Sequence, residues 1–256
     1  MVIPVWGAYA QSLPAALQSL SGDLSVVDRI LVVDNASEAP VRVFAHPLVS
    51  VLRTAKRLSL GEARNAGLLQ VDSELVCFID ADDTVQPGML SQLVALMQAS
   101  SLAALISSPG DPASGTPYRF PPQISYRLLS QGRQRSFRWL NLVRPLYSPV
   151  GTGVIRTEAF RLCGGFPASS NGEDWAAGAT LAFSGTVGLD PRIGRWYDPA
   201  PDSLSRSAQS TRQILSRRLM LDRWLLSSGL PLQVKLALPL LIALQLIDAL
   251  WLRERR

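Results

Sequence analysis

Histidine and cysteine are almost missing from this chain, with one histidine and two cysteines in 256 residues. Cys77 and Cys163 stand far apart, and no CxxC pair or mixed Cys/His cluster occurs. That scarcity excludes a zinc site of the usual ligand spacing and indicates no disulfide framework, which fits a reducing cytosol. Cys77 lies inside the apolar run Leu75-Val76-Cys77-Phe78-Ile79 and reads as a small buried hydrophobe. His46 precedes Pro47 and reads as a loop residue. Charge is sparse as well: 18% of residues are charged and 47% hydrophobic, so general disorder is excluded and a well-filled core is expected. The net charge is +5, with basic residues thickening between Arg127 and Arg144 and again from Arg206 to Arg256. Neither stretch carries interleaved aromatics or a helix-turn-helix pattern, so no nucleic-acid partner is expected. No internal repeat is visible. The start lacks a basic segment followed by an apolar one, because Pro4 and Gly7 interrupt at once, and a cytoplasmic location is the expectation.

What is present is an alternation of strands and helices over a length suited to one sizeable α/β domain with an appendage. Apolar runs at Val2–Trp6, Arg29–Val33, Val49–Leu52 and Leu75–Ile79 predict strands. Ser12 and Pro14 suit a helix start, and helices are predicted over Gly61–Leu69 and Pro87–Ala99. A fifth strand is expected at Ala103–Ile106, followed by a Pro-, Gly- and Ser-rich surface loop over Ser107–Pro122. Further on, Val150–Ile155 reads as a strand, Thr157–Leu162 and Trp175–Phe183 as helices, and Thr186–Leu189 and Arg195–Tyr197 as two short strands. Such alternation implies parallel pairing by right-handed crossovers, with functional side chains at the carboxyl ends of the strands. Asp34 and Asp80 stand at two of those ends.

The turn Asp80-Ala81-Asp82-Asp83 is the strongest chemical signal. Clustered carboxylates repel one another unless a cation is present, and Mg²⁺ or Mn²⁺ prefers such oxygen ligands while keeping positions for phosphate oxygens. An acidic turn that caps the next helix is the other reading of the same residues. Glu173-Asp174 at the start of a helix is equally double in meaning, since negative charge suits a helix N-terminus.

Taken in order, Val2-Ile3-Pro4-Val5-Trp6, Leu31-Val32-Val33-Asp34-Asn35-Ala36-Ser37, Leu60-Gly61-Glu62-Ala63-Arg64-Asn65-Ala66-Gly67-Leu68 and the acidic turn resemble the N-terminal half of family 2 glycosyltransferases. Gly164-Gly165-Phe166-Pro167 and Asn171-Gly172-Glu173-Asp174-Trp175 resemble that family's second half. The resemblance implies a GT-A fold, a Rossmann-like and mostly parallel central sheet with helices on both faces, over residues 1–206. Residues 1–106 would form the nucleotide-binding half and 107–206 the acceptor and catalytic half. It implies an inverting transfer from a nucleotide-diphosphate sugar to a glycan or lipid-linked acceptor in cell-envelope synthesis. Pro4, Val5 and Trp6 would line the nucleoside pocket, Asp34 would hold base or ribose, and Arg64 would face the phosphates. Asp80 and Asp82 would hold Mn²⁺ or Mg²⁺ and the nucleotide, with Asp82 the direct ligand. Asp174 would be the catalytic base, with Glu173 contacting the acceptor or tuning it. Three departures stand out: Gly7-Ala8 follows the first run, Thr180 takes the place of a frequent arginine, and no histidine stands near Asp202–Arg206. Two other functional classes fit an α/β nucleotide-binding chain, a nucleotidyltransferase and a non-catalytic scaffold. The first lacks its usual phosphate loop, since Gly7-Ala8-Tyr9-Ala10 follows the first strand.

Residues 207–256 form a basic and apolar helical appendage. Leu230–Leu252 is strongly apolar but interrupted by Gln233, Lys235, Pro239, Gln245 and Asp248, which argues against a membrane-spanning helix. Flanking arginines with Trp224 and Trp251 suit a helix lying on an anionic membrane, at the inner face of the cytoplasmic membrane. Packing on the catalytic domain and dimer formation are the alternatives. The loop Arg133–Arg138 reads as a solvated basic loop or as an acceptor contact.

Overall fold

A computed structural model describes residues 1–151, 153–197 and 211–253. Its first half follows the predicted alternation. Strands β1 (Val2–Val5), β2 (Ile30–Asp34) and β3 (Val49–Arg53) pair in parallel, with β2 central. Every residue of β1 and β2 is buried, as expected for a sheet covered on both faces. The pleat divides them between two cores. Val2, Leu31 and Val33 face α2 (Leu60–Leu68) and α6 (Thr157–Leu162), while Ile3, Val5 and Val32 face α1 (Leu13–Ser19) and α3 (Met89–Gln98).

The second sheet is mixed. Its order is β4 (Leu75–Val76), β8 (Gly153–Arg156), β6 (Ala104–Asp111), β9 (Val187–Trp196) and β5 (Thr84–Val85), with β7 (Thr116–Pro117) paired to β6. β6 and β9 run parallel, whereas β8 is antiparallel to β4 and β6, and β5 antiparallel to β9. Phe78 joins the two sheets by parallel bridges to Val2 and Val150. The parallel pairing implied by the alternation therefore holds for β1–β3 and for β6 with β9, while β4, β5, β7 and β8 pair antiparallel.

Four local expectations are corrected. Ser107–Pro122 is not one surface loop: β6 continues to Asp111, and Ser107 and Ser108 are buried. The turn-forming Pro109 is accommodated because the ladder to β9 shifts register at Ser107–Pro109, where a strand tolerates proline. The same shift lets β9 run as one strand past Pro191 instead of two short ones. Arg133–Arg138 is mostly helix, because α5 (Gln134–Val143) buries Phe137 and Asn141 one turn apart. Ser12 makes no side-chain cap, since a 3₁₀ helix over Gly7–Gln11 leads directly into α1.

The C-terminal helices α8 (Thr211–Ser227), α9 (Leu232–Leu236) and α10 (Leu238–Arg253) pack on α5 and on α7 (Glu173–Ser184). Leu221, Leu225, Val234 and Leu241 meet Leu142, Trp175 and Ala179 in a third apolar core. Polar contacts fix the same interface: Gln245 Nε2 donates to the Leu142 carbonyl at 2.9 Å, and Arg218 pairs with Asp248 at 3.2 Å. Among the described residues no helix is long and apolar enough to cross a membrane. The Trp251 side chain, the terminal arginines and Asp202–Arg206 lie outside the described residues.

Candidate functional site

A cavity of about 410 Å³ opens at the carboxyl end of β1, between the acidic turn and the start of α7. Pro4, Trp6, Arg64, Asp80, Asp82, Glu173 and Asp174 all line it, although they span 170 positions of sequence between Pro4 and Asp174. The acidic turn gets there because the segment after β4 crosses beside β1, with the Ile79 amide donating to the Val2 carbonyl at 3.1 Å. It does not cap the next helix. The N-terminus of α3 is served by Asp23, which accepts from the Gly88 amide at 2.9 Å and the Ser91 amide at 2.8 Å. That leaves Asp80 and Asp82 without a capping duty.

Helix α2 is the element that ties the site together. It is started by a capping box in which the Glu62 amide donates to Ser59 Oγ and the Ser59 amide to Glu62 Oε2. From it Arg64 reaches both acidic groups: Nη2 donates to Asp80 Oδ1 at 2.6 Å and Nη1 to Glu173 Oε1 at 2.7 Å. Its neighbour Asn65 pairs with the Phe166 backbone, donating to its carbonyl at 2.7 Å and accepting from its amide at 3.0 Å. Gly61 lies so close to the Pro167 carbonyl that a Cβ would stand 2.0 Å from that oxygen. One helix thus locks the acidic turn of the first half to the Glu173–Asp174 turn of the second.

The charges are arranged unevenly. The Arg64 side chain is 2% exposed and that of Glu173 7%, so this ion pair is buried, whereas that of Asp80 is 33% exposed. Burial works against charge on Arg64, yet Asp80 and Glu173 outweigh it and hold the guanidinium firmly protonated. Burial and the neighbouring Asp174 raise the Glu173 carboxyl, with Arg64 opposing. Burial and the Asp80 charge likewise raise Asp82. Asp174 is half-buried in the second position of α7 and has no hydrogen-bond partner for its carboxylate among the described residues. Of the adjacent pair, Glu173 is thus engaged inward by Arg64 and Asp174 is open to the cavity.

Two expected residues are placed otherwise. Asp34 does not line the cavity: it is fully buried, accepting from the Ser37 amide at 3.0 Å, the Val41 amide at 3.1 Å and Arg53 Nη1 at 2.6 Å. Burial works against its ionisation, but those donors outweigh it and hold it below the usual carboxylate range. Its partner Arg53 is the register neighbour of Asp34 across β2 and β3, which is why an aspartate at that strand end is drawn inward. Val5 is fully buried, so only its backbone is available. Arg64 lines the cavity with both terminal nitrogens in ion pairs, and Thr180 bonds within its own helix to the Ala177 carbonyl at 3.0 Å. Trp6 is overlaid by the Arg57 guanidinium at 4.3 Å and flanked edge-on by Tyr9 at 5.1 Å.

Arg195 and Arg217 also line the cavity and carry no local sequence signal. Arg195 belongs to β9, whose register sets it opposite Val85, and it pairs with buried Asp83. Only that pairing, 112 residues apart, brings it beneath the acidic turn. Four carboxylates and three guanidiniums therefore line one cavity among the described residues.

The fold and the sequence both have counterparts among known proteins. Residues 1–349 of S. aureus TarS in complex with UDP-GlcNAc superpose with a TM-score of 0.62 at 16% identity, covering 90% of this chain and 67% of that one. The same fragment in another crystal structure gives 0.63 and 16%, covering 96% and 69%. A longer TarS structure gives 0.62 and 16%, with 96% of this chain and 42% of TarS covered. At that identity the likeness establishes the fold. No curated protein sequence matches the chain. The family model described as "Glycosyl transferase family 2" matches residues 1–160, a span that runs from β1 through Arg64 and the acidic turn into α6. With more than half of its length matched, the chain belongs to glycosyl transferase family 2.

Proposed function

We propose that this glycosyltransferase moves a sugar, with inversion, from a uridine diphosphate donor to a hydroxyl of a glycan or lipid-linked acceptor in cell-envelope synthesis. The observation that carries the reading is that Asp80, Asp82 and Asp174 line one cavity, with Arg64 joining Asp80 to Glu173. The uridine donor is suggested by the TarS structures with UDP-GlcNAc and UDP. In a single displacement the acceptor oxygen attacks the anomeric carbon as the bond to the diphosphate breaks. A carboxylate must take the hydroxyl proton, and Asp174 is the one open to the cavity. Glu173 acts through Arg64, holding the helix start and the acidic turn in register. Pro4, Trp6 and the Val5 backbone form the nucleoside side.

Asp80 and Asp82 would hold Mn²⁺ or Mg²⁺. The residues fit: two hard carboxylates line the cavity, and the Asp80 charge raises the cost of charge on Asp82 unless a cation is near. Among the described residues no group of three candidate ligands occurs, so an ion there would need diphosphate oxygens and water as its further ligands. Such an ion supplies charge neutralisation for the leaving diphosphate. We also assign residues 1–206 to catalysis and the later helices to an anionic membrane surface. Leu232, Leu236, Leu240 and Ile247 are all strongly exposed on α9 and α10, with Lys235 among them.

The test is a thermal-shift panel of nucleotide sugars with Mn²⁺. Uridine diphosphate sugars should raise the melting temperature by mass action, and a panel in which none does so contradicts the reading.

A further inference from the structure

The cavity asks more of its cations than Arg64 can give. Arg64 is 2% exposed and both of its terminal nitrogens sit in ion pairs with protein carboxylates. Arg195 is held differently. Its Nη1 donates to Asp83 Oδ2, and among the described residues its other guanidinium nitrogens have no hydrogen-bond partner. Its guanidinium carbon lies over the Tyr197 ring, 4.8 Å from the ring centre, a cation–π contact. It also passes close over Gly151, where a Cβ would stand 2.6 Å from Arg195 Nε and 2.8 Å from Cζ. Gly151 has φ of +107°, so both its backbone and the arginine above it require glycine there. Asp83 is 1% exposed and cannot turn to solvent, so the ion pair anchors the arginine in one place. The result is a cation held by three contacts, with donors to spare, in the same cavity as Asp80 and Asp82.

We propose that Arg195 binds the diphosphate of the donor and takes up charge on it as the sugar leaves, positioned by Asp83 and Gly151. This assignment rests on the donor reading above. As the bond from the anomeric carbon to the distal phosphate oxygen breaks, its electron pair stays on that oxygen, while the acceptor's proton goes to Asp174. A guanidinium already in place stabilises the growing negative charge without reorganising. Its planar fork suits phosphate oxygens better than a lysine would.

The experiment compares UDP with uridine, titrated with Mn²⁺ present, in the wild type, in Arg195→Lys and in the double variant Arg195→Met/Asp83→Asn. The double variant removes both charges, so that no buried carboxylate is stranded. Preference for UDP over uridine should fall roughly 10- to 100-fold in the double variant and less in Arg195→Lys, with uridine affinity unchanged in both. A loss of uridine and UDP binding in equal proportion would indicate a merely structural residue and overturn the assignment. So would an unchanged UDP-to-uridine ratio in whichever variant is folded. A wild-type protein that binds no UDP at all overturns the donor reading itself, and the assignment with it.

Discussion

Arg64 shows how one side chain can serve architecture and site together. Its pair with Glu173 is buried while its pair with Asp80 is partly exposed, and removing it strands Glu173 as an uncompensated charge. Arg64→Met should therefore cost about 3–5 kcal/mol of stability, read by denaturant unfolding. A loss below about 1 kcal/mol, the worth of an exposed pair, would show that the pair is solvated. Asp82 makes the opposite kind of statement. Its carboxyl is raised by burial and by Asp80, so folding favours its protonated form. The metal-free protein then loses stability as pH rises from the ordinary aspartate range through the raised value, and at neutral pH the penalty is fully present. Asp82→Asn should melt roughly 1–3 °C above wild type in chelator at neutral pH, with the gap closing on acidification. Mn²⁺ should stabilise the wild type and leave the variant unmoved. A wild type that melts higher than the variant in chelator would contradict this.

At the scale of elements, α2 carries the most consequence. Its capping box starts it at Ser59, Asn65 and Gly61 fasten it to the 165–169 segment, and Arg64 then reaches both acidic turns. Gly61→Ala should destabilise by about 1–3 kcal/mol, because the new Cβ meets the Pro167 carbonyl, and it should weaken donor binding as the two turns move apart. Chemical denaturation and UDP titration read the two effects, and an unaltered unfolding midpoint would mean that the contact yields freely. Elements of this kind are legible in the sequence because their signals are local: unbroken apolar runs at Val2–Val5 and Ile30–Val33, and a helix at Thr157–Leu162. The acidic turn and Glu173–Asp174 were legible for the same reason, as short ordered strings. What escaped depends on pairing between distant segments. Pro109 and Pro191 look like breakers until the register shift between β6 and β9 accommodates them. Basic Arg133–Arg138 looks like a loop until Phe137 and Asn141 find a core to enter. Asp34 looked like a ligand contact because nothing nearby in sequence announces Arg53 as its partner across the sheet. Arg195 was silent for the mirror-image reason, its role arising only from the β5–β9 register.

For the whole molecule, Phe78 bridges Val2 and Val150, and the C-terminal helices brace α5 and α7 while α8 brings Arg217 to the cavity. Those helices bury one face in the third core and leave another strongly apolar face outward, with Leu236 72% and Leu240 64% exposed. Replacing both with aspartate should lower co-sedimentation with anionic phospholipid vesicles by roughly tenfold or more while leaving the melting temperature in place. Equal sedimentation of variant and wild type would remove the membrane from the picture. The proposed catalytic centre is independent of that outcome, because Asp174 sits at the head of α7 and lines the cavity with the acidic turn. The most direct measurement of its role is the rate of UDP release from a UDP-sugar by wild type and by Asp174→Asn, with UDP affinity measured in parallel. Loss of a positioned general base should slow turnover by about 10²- to 10⁴-fold and leave UDP affinity intact. Full turnover by Asp174→Asn would contradict the assignment of the base and, with it, the chemistry proposed for this cavity.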